Sequence, residues 1–237
     1  MLFLRRNYGF LLAFCLIGAL TYAIIQRTSE HALQTSATAD SILSVLILDP
    51  GHGGADGGAV SLSGTKESEI NLDIALRLRA LCRLFGIDCL MTRDREELDY
   101  PESADSISEM KKWDTRSRVE RINAVGSSFL LSIHQNVYPD PQPRGPQVFY
   151  NENCPRGTAE LFQEYLNTVL CPKSRRLAAP ISKDVYIMSH AECPAVLAEC
   201  GFLSNPEEAA ALDTDTYKLK IAAVLMAACL RSLGGAL

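Results

Sequence analysis

The stretch "ILDPGHGGADGGAV", residues 47–60, places one of the chain's four histidines, His52, in a turn with five glycines and two aspartates. The run that leads into it, "ILSVLILD" (42–49), is continuously apolar and rich in β-branched residues. That is the pattern of a strand buried on both faces. The turn lacks G-K-[ST] and does not fit G-x-G-x-x-G, so it is neither of the familiar nucleotide-phosphate loops. A glycine-rich turn has a bland reading, but a histidine within one points to backbone that must pass close to another group.

Outward from this turn the pattern alternates. Residues 67–85, "ESEINLDIALRLRALCRLF", carry Ile70, Ile74, Leu78, Leu81 and Phe85 at helical spacing, and Gly86 ends the helix. Strands are predicted over 87–93, 128–134, 145–151, 184–188 and 194–200. Helices are predicted from Asp114 to about Val125, over 156–170, and along 207–233, which closes on Gly234-Gly235. This alternation predicts an α/β fold: a mostly parallel sheet flanked by helices on both faces, forming a single catalytic domain.

A net charge of −5, with no basic stripe, argues against nucleic-acid binding. Residues 1–27 are a separate object. Arg5 and Arg6 precede an uncharged apolar run from Tyr8 to Ile25, which as a helix spans roughly 27 Å, close to a bilayer core. The leading arginines favour a cytoplasmic N-terminus with the rest exported. The expectation is an N-terminal transmembrane helix that anchors the chain in the membrane. A cleaved signal peptide, and hence secretion, is the alternative. Residues 28–42 read as a polar linker, with His31 a solvated residue, and 43–237 as the catalytic domain. The cysteines beyond Cys15 include no C-x-x-C pair, so a zinc knuckle is not expected and buried inert thiols are the plainer reading. Oxidised Cys82 and Cys89 would close a short loop.

Three apolar strands end in polar residues at "DPGH", "SIHQN" and "AECGFLSN". Open parallel sheets bind ligands off those carboxyl ends, so His52, His134 and Glu199 are candidates to meet at one edge. Two histidines begin a zinc site, whose catalytic form takes three protein ligands. Glu67 is the candidate third. It opens a helix, where the dipole favours an anion, and it continues the stripe of Ile70 and Ile74, whereas Glu69 is rotated roughly 200° away. Taken singly, a glutamate in a first helical turn is a solvated dipole partner and a histidine at a strand end a hydrogen-bonded structural residue. The combination, in order and at element boundaries, is what raises the chemical reading. H-E-x-x-H is absent.

Four blocks, "LDPGHGGADGGAV", "KESEINLDIALRLRALC", "FLLSIHQN" and "PAVLAECGFLSNPEEAAAL", resemble the zinc-dependent N-acetylmuramoyl-L-alanine amidases. "RGPQVFY" (144–150), together with the anchor and the single compact domain, is more similar to their germination-specific, spore-cortex branch known as CwlD. The resemblance implies that His52, Glu67 and His134 bind Zn2+ and that Glu199 is the catalytic carboxylate. It implies cleavage of the amide between N-acetylmuramic acid and L-alanine in peptidoglycan, during cortex maturation with muramic-δ-lactam formation. It also allows an activating lipoprotein partner. Two positions depart from the family pattern: Ser68 follows Glu67 where lysine is usual, and Gln135 follows His134 where a small residue is common.

Asp49 or Asp56 is expected to orient His52 through its second nitrogen, and side chains at Gly51, Gly53 and Gly54 are expected to crowd a substrate. Strand alternation turns Cys200 away from Glu199, which disfavours a cysteine nucleophile. Asn136, Arg144 and His190 are candidate substrate contacts, with surface residues as the plainer reading. Two rival functions remain at this level: a zinc peptidase of the stem peptide, and a non-catalytic membrane-tethered wall-binding module.

Overall fold

The computed structural model describes residues 45–233, so the expected anchor and linker lie outside the described residues. No helix among the described residues is long and apolar enough to cross a membrane. The strands are β1 (Val45–Pro50), β2 (Cys89–Met91), β3 (Ser128–Asn136), β4 (Gln147–Tyr150), β5 (Ala179–Pro180) and β6 (Ala195–Phe202). The helices are α1 (Glu67–Phe85), α2 (Ile107–Asn123), α3 (Arg156–Leu170), α4 (Tyr186–His190), α5 (Pro206–Leu212) and α6 (Asp215–Leu233).

The strands make one sheet in the order β2-β1-β3-β6-β4-β5. β1, β2, β3 and β6 run parallel, while β4 pairs antiparallel to β6 and carries β5 alongside it. The fold is α/β with a mostly parallel sheet covered on both faces. Leu46 and Leu48, Phe129, Leu131 and Ile133, and Val196 and Ala198 point to one face, where α1, α3 and α6 supply Ile74, Phe162 and Leu225. Ile47, Leu130 and Leu197 point to the other, against Ile122 of α2 and Met188 of α4. Because side chains alternate along a strand, the same register turns Asp49, Ser132, His134 and Glu199 toward this second face.

Local chemistry sets the helix ends. α1 stops where Gly86, at φ 69°, donates its N–H to the Arg83 carbonyl and Ile87 donates to that of Cys82, the left-handed cap glycine favours. α2 starts seven residues earlier than the expected Asp114. Ser106 caps it by accepting from the Glu109 N–H, and their side chains also bond, a capping-box signal present in "SISE".

The strand expected over 184–188 is not one. Tyr186–His190 is a helix, with Ser189 and Ala191 donating to the carbonyls of Val185 and Ile187. A five-residue apolar run does not separate strand from helix, and here both sides of β6 are already paired with β3 and β4. The segment therefore closes its own hydrogen bonds and lays Met188 on the second face. The predicted C-terminal helix is two, broken between Leu212 and Asp215. The cysteines among the described residues are free thiols, Cys82, Cys154, Cys200 and Cys229 buried.

Candidate metal centre

β1 ends at Pro50, and the chain folds back on itself through a short bridge between Gly53 and Asp56. His52 sits in this loop at φ 62°, the one non-glycine residue with positive φ among the described residues. Such a conformation costs of order 1–3 kcal/mol and persists only when its surroundings impose it. Two buried guanidiniums do so. Arg118 donates to the carbonyls of Pro50 and His52 (2.8 and 2.6 Å), and Arg93 to those of Pro50 and Gly51 (3.0 and 3.1 Å). Arg118 is balanced by Asp49 at 3.0 Å and Asp114 at 2.8 Å. Asp49, wholly buried, also accepts from the hydroxyls of Thr92 and Ser132.

The loop delivers His52 to two other side chains. Glu67 is the first residue of α1 and only 4% exposed, whereas Glu69 is exposed. His134 comes from β3. One ligand atom from each of His52, Glu67 and His134 lies within 4.8 Å of the others. Glu67 Oε1 is 3.3 Å from His52 Nε2 and 3.1 Å from His134 Nδ1. The carboxylate is fixed by backbone N–H donors, Ala59 on Oε2 and Gln135 on Oε1. Burial opposes its charge, yet the two imidazoles hold it well below the usual carboxylate range.

Asp56, rather than Asp49, takes the second nitrogen of His52: Nδ1 lies 3.0 Å from Asp56 Oδ2, which Lys111 also meets at 2.8 Å. Burial works against a charged His52, but hydrogen bonds to Asp56 and Glu67 outweigh it and raise its pKa to about 9. Side chains on the loop glycines would meet the protein's own side chains: a Cβ on Gly53 would lie 2.8 Å from Arg93 and one on Gly54 2.2 Å from the Tyr100 hydroxyl. A Cβ on Gly51 would lie 2.2 Å from the His134 ring, and one on Gly58 would lie 2.6 Å from Glu67 Oε2.

Glu199 is the direct register partner of His134 across β3 and β6. Its Oε2 is buried with no hydrogen-bond partner. Burial, with the nearby Glu67 charge adding, pushes its pKa up to about 7. Two imidazole nitrogens and one anionic carboxylate oxygen converging on one point are a donor set suited to a divalent first-row ion. The unpartnered Glu199 oxygen beside them is the second mark of a site built for more than its own side chains.

The chain matches, over residues 46–231, the protein family described as N-acetylmuramoyl-L-alanine amidase. The chain belongs to that family. It is 35% identical over 193 residues to the germination-specific N-acetylmuramoyl-L-alanine amidase of Bacillus subtilis, covering 79% of this chain and 78% of that one. It is 26% identical over 245 residues to the amidase AmiA of Escherichia coli, covering 84% and 79%. Among solved structures it is similar to the CwlD amidase of Clostridioides difficile in complex with the GerS lipoprotein. There the TM-score is 0.76 at 32% identity, over 81% of this chain and 98% of that one.

In this amidase the other candidate residues scatter. Asn136 lies on β3 beyond a register shift after His134, and its carbonyl accepts from Leu203. Arg144 is paired with Glu207 at 2.8 Å on the surface. His190 ends α4, stacks on Tyr186 with ring centroids 4.0 Å apart, and lines a different cavity from the one holding His52 and His134. Gln135 points to α1, donating to Asn71 at 3.1 Å, so it buttresses the helix that carries Glu67. Ser68 is wholly buried and donates to Glu96. Sequence reasoning missed Arg118 and Arg93. The only local signal for Arg118 was Asp114 four residues before it, an ordinary helical ion pair.

Proposed function

We propose that this family member is a zinc hydrolase that cleaves the amide between N-acetylmuramic acid and L-alanine in peptidoglycan. His52, Glu67 and His134 would hold the ion, and Glu199 would act as the catalytic carboxylate. The observation that carries the reading is the converging trio with an unpartnered, buried carboxylate oxygen on Glu199, the direct register partner of His134. A zinc ion there supplies Lewis acidity, polarising an amide carbonyl and acidifying water. The chain's own part is to hold and move a proton. With a pKa of about 7, Glu199 can take a proton from the attacking water and deliver it to the departing amine, the work of a general base turned acid. Asp56 keeps His52 in one orientation and tautomer.

Similarity to the germination-specific amidase of Bacillus subtilis supports a role in spore-cortex maturation, in which removing stem peptides frees muramic acid for δ-lactam closure. We place the catalytic domain at residues 43–237, carried outside the cytoplasm by an anchor at 1–27 and a linker at 28–42. A lipoprotein partner is part of the proposal, because the similar CwlD structure is a complex with one. Mass spectrometry of digested wall fragments is the test. Intact peptides released with a free L-alanine amine are expected. Cuts inside the stem would indicate a peptidase, and no cleavage a binding module. Spores lacking the protein should lose muramic-δ-lactam; unchanged lactam would reject the cortex role alone.

A further inference from the structure

His52 and His134 open onto a cavity of about 610 Å³, the size of a small-ligand site. One wall is α2, with Lys111, Lys112 and Arg116; Asp184 lies on the wall formed with α4. Ion pairing sorts these charges. Lys111 is taken up by Asp56 at 2.8 Å, and Arg118 and Asp114 neutralise each other. Lys112 and Arg116 have no carboxylate partner among the described residues. Asp184, which accepts from the Ser182 hydroxyl at 3.1 Å, is the third lining acid beside the paired Asp56 and Asp114. Positions 112 and 116 are one helical turn apart, where like charges repel and destabilise a helix. An anion bound between them relieves that repulsion.

This inference rests on the amidase reading, which gives the cavity two candidate occupants. The glycan side of the substrate offers hydroxyl and acetamido groups, neutral at the positions that flank the bond. The peptide side is anionic: its second residue, D-glutamate linked through its γ-carboxyl, keeps a free α-carboxylate unless that group is amidated. A cavity of that volume is roughly 10 Å across if round, and two extended residues span about 7 Å. We propose that Lys112 and Arg116 bind the α-carboxylate of the stem peptide's second residue, so that the peptide enters along α2 and unamidated stems are preferred.

The test compares two soluble substrates, N-acetylmuramoyl-L-alanyl-γ-D-glutamyl-L-alaninamide and its D-isoglutaminyl counterpart, which differ only in the α-carboxylate or α-carboxamide of the second residue, with the zinc-loaded full chain in detergent. KM for the acid is expected to be about tenfold lower than for the amide, the scale of one charge-assisted hydrogen bond. The double variant Lys112→Gln/Arg116→Gln should raise KM for the acid to that of the amide, while Lys112→Arg/Arg116→Lys keeps the difference. Both side chains are exposed, and a thermal melt checks that the variants fold. Equal KM values in the wild type, or a preference that survives the double glutamine variant, overturn the inference and leave the amidase intact. Cleavage of neither substrate overturns the amidase reading, and this inference with it.

Discussion

Arg118 donates from Nη2 to the carbonyl oxygen of His52 at 2.6 Å, tying a helix residue to a loop residue 66 positions away. His52 therefore reaches Glu67 and His134 from a backbone conformation it would not choose. The same guanidinium holds Pro50 and is neutralised by Asp49 and Asp114. Arg118→Met should strand two buried carboxylates and cost about 3–5 kcal/mol, as removing one partner of a buried ion network does. Zinc affinity should fall at least tenfold, because the ligand loop loses its brace. Urea unfolding and a competitive zinc chelator measure the two effects. An unchanged affinity in folded variant protein would remove Arg118 from the support of the site.

Asp49 carries a pH prediction. Burial opposes its charge, but Arg118, Thr92 and Ser132 together hold its pKa below the ordinary value. A depressed folded-state pKa contributes stability above the unfolded value of about 3.9, and that stability is lost as pH falls through the folded one. Asp49→Asn should thus be less stable than wild type at pH 7, and the gap should shrink progressively below about pH 4. A gap that stays constant to pH 2 would contradict the assignment.

Glu199→Gln keeps the shape of the side chain and removes its proton chemistry. Zinc content near one per chain should persist while turnover drops on the order of 100- to 10,000-fold, the usual worth of a positioned acid-base group. Metal analysis alongside kcat decides it. Normal turnover would withdraw the catalytic role from this carboxylate.

Gly51→Ala separates close approach from backbone strain, since Gly51 is not among the positive-φ glycines. Its new Cβ would sit 2.2 Å from the His134 ring and push the imidazole off its position. We expect an overpacking cost of about 1–3 kcal/mol with a larger loss of zinc binding. Gly126→Ala, which meets nothing within 4 Å, is the control and should leave zinc binding intact.

Asp56→Asn should lower zinc affinity by about 10–100-fold, the usual effect of removing the group that orients a metal-bound imidazole. Isothermal titration of the metal-free protein reports it. An affinity equal to wild type would show that Lys111 and the loop backbone suffice to position His52.

Much of this architecture is written in short-range pattern. The apolar run before Pro50, the 3.6-residue stripe of α1 and the glycine that ends it each record a local conformational preference. So does the placement of His52, His134 and Glu199 toward the carboxyl ends of apolar runs. What the sequence left open or misread was in part what depends on neighbours distant in the chain. Tyr186–His190 is helical because both sides of β6 are taken by β3 and β4. Asp56 and Asp49 are equally eligible partners for His52 in the sequence. The fold separates them by sending Asp49 inward to Arg118.

Sequence by itself determined the alternating elements, the polar residues at strand ends and the family signature, because each depends on residue type and spacing within one segment. Only the tertiary structure decided which side chains touch: Glu67 between two imidazoles, Arg118 beneath the loop, Gln135 on α1, and, along one wall of the cavity, Lys112 and Arg116 without a carboxylate partner among the described residues. Those contacts join residues tens of positions apart. Strand register and helix packing bring them together, and neither is encoded in any single stretch.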